Sequence, residues 1–146
     1  MKNIFFIINV FFLFSCNKIE NTNTLDKSDI KYINELGLLN QGENINKFYS
    51  EFKTRNAGNF FTNKRIATYW IDPRNSKKNQ KSFAFYSDII SIDTVYNAGT
   101  TYSPYMLVTK NNGESFKVSV NGSKMEIKSF FDDALNLWKA APSNSK

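Results

Sequence analysis

Apolar and polar positions follow strand-like spacing over most of this chain, and the pattern is clearest in residues 59–72, NFFTNKRIATYWID. There Phe60 and Phe61 end one run, and Ile66, Ala67, Tyr69, Trp70 and Ile71 make the next. A single Thr-Asn-Lys-Arg break separates the runs, so the spacing predicts strand, tight turn, strand. Residues 45–52 hold Phe48, Tyr49 and Phe52 after a turn at Gly42 and predict a strand before this hairpin. Residues 53–58 then form the loop into it. After Asp72-Pro73 comes RNSKKNQK, a basic polar connector that no core would accept. Residues 82–87 put Phe83 and Phe85 on one face and Ala84 and Tyr86 on the other. Asp88 stands at a corner, and the next run to about Tyr96 places Ile90, Ile92 and Thr94 together, with Ile89 and Val95 opposite or beside them. Residues 97–104 read as a loop. Residues 105–110 predict another strand, Asn111-Asn112-Gly113 predicts a hairpin because Asn and Gly tolerate positive φ, and Phe116, Val118 and Val120 alternate with Lys117 and Ser119.

Two stretches switch to helical spacing. Ser123 with Glu126 three residues on has the capping-box form and opens a helix to about Ala140. Its stripe of Ile127, Phe130, Phe131, Ala134 and Trp138 must be buried, and the sheet is the surface available. Residues 29–39 carry Ile30, Ile33 and Leu36 at helical intervals, with Ser28 or Asp29 as N-cap and Gly37 as a stop. The expected fold is therefore α+β. About seven antiparallel strands form a strongly curved sheet or partly open barrel, closed by a C-terminal amphipathic helix and preceded by a short N-terminal one.

The first sixteen residues obey neither rule. Lys2 precedes an almost wholly apolar run, Ile4 to Phe14, too short for the roughly 20 residues of a membrane span and right for a signal-peptide core. Leu13-Phe14-Ser15-Cys16 resembles the lipobox of bacterial lipoproteins, although Phe14 is larger than the pattern's usual residue. The resemblance implies diacylglycerol on the Cys16 thiol, cleavage before Cys16 and acylation of the new amino terminus. The competing readings are an ordinary cleavable signal with an incidental cysteine, or an uncleaved anchor. On the lipoprotein reading, residues 1–15 are the signal peptide, 16–28 a flexible tether, 29–141 the folded domain and 142–146 a tail. Asn17 stands where the enterobacterial sorting pattern puts an aspartate for inner-membrane retention. The expected location is thus the bacterial envelope, at the outer membrane rather than the inner and facing the periplasm in a cell with two membranes.

Composition removes much of the catalytic repertoire. The 146 residues include no histidine and one cysteine, so zinc sites built on His and Cys, Ser-His-Asp or Cys-His catalysis, and internal disulfides are excluded. No cofactor or metal is expected. Aromatic residues make up 16%, which favours a pleated surface, and the formal charge of +6 argues solubility and steering rather than any named partner. Nucleic acid is not expected.

Several short segments resemble the bacterial pleckstrin-homology-like family over roughly residues 45–139. Thr62-Asn63-Lys64-Arg65-Ile66 is similar to that family's turn into its third strand, and Tyr86-Ser87-Asp88-Ile89 with Ile92 to its aromatic-x-Asp-Ile corner. Gly113 with Phe116, and the closing helix through Phe130 and Phe131, also fit. The resemblance implies the fold and no single activity, since such domains serve many functions. Lipid-binding members use basic residues in the loops that here hold Lys53, Arg55, Arg74, Lys77, Lys78 and Lys81, which makes these six the candidate anionic-ligand residues. Lysine-rich loops are more often merely solvated. Arg65 and Asp88 are a candidate structural pair across the sheet, and Trp70, Tyr96, Tyr102 and Tyr105 a candidate aromatic rim whose plainer role is sheet packing. Asp132 and Asp133, adjacent on a helix, point apart and make a poor carboxylate pair.

The expectation from the sequence is a lipid-anchored, non-enzymatic interaction module with a protein or anionic-lipid partner. The alternatives are an immunity or inhibitor lipoprotein against a toxin or hydrolase, and an enzyme acting on envelope lipid or glycan.

Overall fold

The break at residues 62–65 closes as a two-residue turn, joining β2 (Ala57–Thr62) to β3 (Arg65–Trp70) in register from Ala57 opposite Trp70 to Phe61 opposite Ile66. The structure is a computed structural model and describes residues 19–142. Flanking the hairpin are β1 (Ile45–Tyr49) and β4 (Gln80–Phe85), giving an antiparallel sheet of order β1-β2-β3-β4. A second antiparallel sheet holds β5 (Ile89–Val95), β6 (Tyr105–Lys110) and β7 (Ser115–Ser119) in that order. The helices are α1 (Lys27–Glu35) and α2 (Lys124–Ala140). Seven antiparallel strands in two sheets with a C-terminal helix are the arrangement the pleckstrin-like resemblance implies, and the sheets do not join into a closed barrel.

Two cores form because the first sheet is apolar on both faces. One face supplies Phe61, Ile66 and Ala84, joined by Tyr86 just past the end of β4, to a cluster with Met106, Val108, Phe116 and Val118 of the second sheet and Ile127, Phe130, Phe131 and Ala134 of α2. Phe130 meets Phe61 edge-on, centroids 5.0 Å apart, a geometry worth about 1 kcal/mol beyond burial. Trp138 lies at the margin and donates its indole N–H to the Ile89 carbonyl. The other face, with Phe48, Phe60, Ala67 and Tyr69, is covered by Ile33 of α1 and by Leu25, Leu38 and Leu39 around it.

The capping box at Ser123 and Glu126 is present as the spacing predicts. At α1 the cap is Asp26, earlier than expected, because its carboxylate accepts the Ser28 N–H and leaves Ser28 and Asp29 inside the first turn. Gly37 stops the helix at φ +77, with its N–H on Asn34 and the Leu38 N–H on Ile33, the two bonds of a Schellman close.

Three further expectations change. Ile90 is exposed while Ile89 and Ile92 are buried, since a register shift between Ile89 and Ser91 breaks the period of two that would pair Ile90 with Ile92. In the 111–113 turn only Gly113 takes positive φ, and neither asparagine does. Most consequentially, residues 19–28 are not a loose tether. Glu20 bridges Phe48, Thr22 bonds Ile45, Leu25 is buried and Asp26 caps α1, so residues 20–26 are tied into the fold. Cys16 and the signal segment lie outside the described residues.

Candidate interaction site

Hairpin order puts the β1–β2 loop, residues 50–56, and the β3–β4 loop, residues 71–79, at one end of the first sheet. Their meeting is bonded: the Ile71 N–H donates to the Asn56 carbonyl at 2.7 Å, and the Asn56 amide donates to the Ile71 carbonyl at 3.3 Å. The six candidate basic residues are thus neighbours by topology, but they are not equally free. Arg55 turns back to α1, where it pairs with Asp29 at 3.5 Å and covers the Tyr32 ring at 4.6 Å. Lys81 lies in β4 rather than the connector and donates to the Leu36 carbonyl at the end of α1, 2.8 Å away. Lys53, Arg74, Lys77 and Lys78 are exposed, with no ion-pair partner among the described residues. Within the second loop, the N–H groups of Arg74 and Asn75 bond Asp72, and the Arg74 bond above all holds its carboxyl below the ordinary value.

At the opposite end stands a pair that the sequence reading assigned to the wrong partner. Arg65 does not bond Asp88. Its guanidinium grips Glu43 in a two-point contact, Nε to Oε1 at 2.9 Å and Nη2 to Oε2 at 2.8 Å, with both side chains essentially out of solvent. The Thr62 hydroxyl donates to Oε1, the Asn40 N–H to Oε2, and the Phe83 and Phe85 rings sit 4.9 and 4.4 Å from the guanidinium carbon. A desolvated ion pair persists only with this completeness of bonding. Glu43 was missed because it lies in a polar loop, QGEN, whose composition signals solvent. Only the Gly42 turn that folds it inward could have hinted otherwise.

Between the sheets, the outer edge of β4 faces the β6–β7 hairpin across a cleft of about 720 Å³ lined by Phe83, Phe85, Asp88, Lys110, Glu114 and Phe116. A groove of about 430 Å³ shares Lys81, Ser82, Ser115 and Phe116 with it and runs on past Trp70 and Lys117. The two edges of the first sheet differ. The Glu20–Thr22 stretch bonds along β1, whereas β4 pairs with β3 alone among the strands.

The expected aromatic rim is not one surface. Tyr102 and Tyr105 share a depression of about 380 Å³ with Glu51 and Lys117, Tyr96 packs on Phe131, and Trp70 stacks edge-on with Phe52 at 5.2 Å. Asp132 and Asp133 diverge as the helix requires, the first to Lys128 and the second to Lys47. Among the described residues no group of three or more Asp, Glu, His or Cys could hold a metal ion, and no helix is long and apolar enough to cross a membrane.

No family model matches the chain, and no curated protein matches it. Among solved structures it is similar to a DUF1696 family protein with a pleckstrin-homology domain from Shewanella loihica PV-4. The two are 12% identical, the match covers 80% of this chain and 97% of that one, and the TM-score is 0.49.

Proposed function

We propose that this protein is a non-enzymatic interaction module, held at the bacterial envelope by a lipid on Cys16, that takes an extended segment of a partner protein along β4. One observation carries the reading: the β1 edge is strapped by the chain's own residues, while among the described residues no strand pairs with the outer edge of β4, which lies beside the cleft. An uncovered edge offers a row of backbone donors and acceptors, and adjoining apolar pockets supply the side-chain choice that strand addition needs. Phe83 and Phe116 are the apolar surfaces within reach, with Lys81, Lys110 and Lys117 around them. The envelope location and outer-membrane delivery rest on the lipobox resemblance.

Photo-crosslinking in living cells tests this. A reactive side chain at Ser82, in β4, captures a defined partner that the same probe at Asn46, in β1, does not, and Phe83→Asp abolishes the capture. Equal capture at both edges would overturn the strand-addition reading. A palmitate analogue on Cys16, lost in Cys16→Ser, tests the anchor separately.

A further inference from the structure

Away from the β4 cleft, the depression of about 380 Å³ lies where the β1–β2 loop meets the β5–β6 loop, residues 96–104, beside the second sheet. Its walls and floor are pinned. The Ser103 hydroxyl donates to Glu51 Oε1 at 2.8 Å and ties the two loops together. The Val120 N–H donates to the Pro104 carbonyl at 3.0 Å, and the Ser119 N–H to the Asn59 side-chain oxygen at 3.0 Å, which fixes the loop to β7 and β7 to the first sheet. The Lys117 ammonium stands 4.4 Å from the centre of the Tyr105 ring. Gly99 bends the β5–β6 loop at φ +102, which glycine reaches without strain, and a Cβ there would come within 4.0 Å of the Tyr102 ring. Tyr102 thus lies along the bent loop on one side and is still 73% exposed, more than any other aromatic side chain among the described residues.

The lining selects by charge. It holds one carboxylate, Glu51, and one ammonium, Lys117, among hydroxyls such as those of Thr101 and Ser103. An anion would meet Glu51 and a cation would meet Lys117, so neither sign of ligand is favoured. A wholly apolar ligand would strip water from both charges without replacing it. What matches is a neutral ligand with an apolar face and a rim of groups that both donate and accept. A pyranose ring has that form. Its axial C–H bonds make a weakly positive apolar face that suits the negative face of an aromatic ring. Its hydroxyls donate to a carboxylate and accept from an ammonium, and both bonds gain from the charge of the partner. Glu51 has the capacity, because Oε2 takes no bond among the described residues. The volume falls within the range of about 300–1,000 Å³ usual for small-ligand sites.

We infer that this depression is a saccharide subsite, in which a neutral pyranose stacks on Tyr102, donates a hydroxyl to Glu51 Oε2 and accepts from Lys117. The subsite uses neither β4 nor a lipid on Cys16, so it stands or falls separately from the function proposed above. Pyranose rings occur both in N-acetylated amino-sugar chains and in plain hexose chains, and the test carries one of each.

The check is saturation-transfer NMR on the full-length protein in a detergent without a sugar head group, titrated with the N-acetylglucosamine tetramer and separately with maltotetraose. Saturation reaches the ring C–H protons of the saccharide in at least one arm, and the arm that responds names the source. Tyr102→Ala abolishes the transfer, Tyr102→Phe keeps it, and Glu51→Gln weakens the affinity about tenfold by making the acceptor neutral. Because the Tyr102 side chain stands mostly in solvent, both Tyr102 variants melt with the parent protein. Phe83→Asp, aimed at β4, leaves the transfer intact. No transfer in either arm, or undiminished transfer in Tyr102→Ala, overturns the subsite and leaves the β4 reading standing.

Discussion

The two ends of the first sheet use the same kinds of side chain for opposite purposes. At one end Arg74, Lys77 and Lys78 stand in solvent on a loop whose bonds are local. At the other, Arg65 is 2% exposed and locked to Glu43, Thr62 and two aromatic rings. The difference is desolvation. A charge in water costs nothing to leave unpaired and remains available to a ligand, whereas a charge out of water must be fully bonded and becomes part of the frame. Charge count therefore says little about function until burial is known.

The strongest way to break the contrast is to orphan the buried charge. Glu43→Ala leaves the Arg65 guanidinium unpaired and is expected to cost about 3–5 kcal/mol in chemical denaturation. A Glu43→Leu, Arg65→Met pair should recover most of that, and failure to recover would show the charges to be needed for more than mutual neutralisation.

Next in size is Gly58→Ala, close to the loop end but inside the core. A Cβ there would collide with the Tyr69 ring and lie 2.7 Å from Phe48, so overpacking of about 1–3 kcal/mol is expected in thermal melting. The core is thus tightly packed at Gly58, two residues from the β1–β2 loop.

Acid sharpens the comparison more gently. The Arg74 N–H holds the Asp72 carboxyl below its ordinary value, and that of the capping-box residue Glu126 is lowered by Ser123. A carboxyl depressed on folding adds stability that is full above its unfolded pKa and is lost as pH falls through the folded one. Both contributions therefore vanish only in acid, below the usual carboxylate range. The protection factors of the Arg74 and Asn75 amides, taken against the intrinsic exchange rate at each pH, should fall there, and Asp72→Asn should flatten that response.

The smallest effect belongs to the solvated lysines. Lys77→Ala and Lys78→Ala should each change stability by less than about 0.5 kcal/mol. A larger loss would mean that the β3–β4 loop is part of the frame.

Legibility followed the range of the interaction. The β2–β3 hairpin, the Ser123 capping box and the α2 stripe could be read directly because period, turn and cap are set by residues a few positions apart. The strap at Glu20, the Glu43 partner of Arg65 and the diversion of Arg55 and Lys81 to α1 could not. Each joins positions 22 or more residues apart, with at least one partner in a stretch whose local surroundings read as loop.

What the chain alone determined, then, was its set of strands and helices, a composition without histidine or a second cysteine for an internal disulfide, and the apolar faces that had to be covered. Only the folded arrangement decided which charges leave water, and which edge of the first sheet is strapped by the described residues and which is not. The reason is that burial is a property of what the rest of the molecule stacks on a residue, and no neighbour in sequence carries that information.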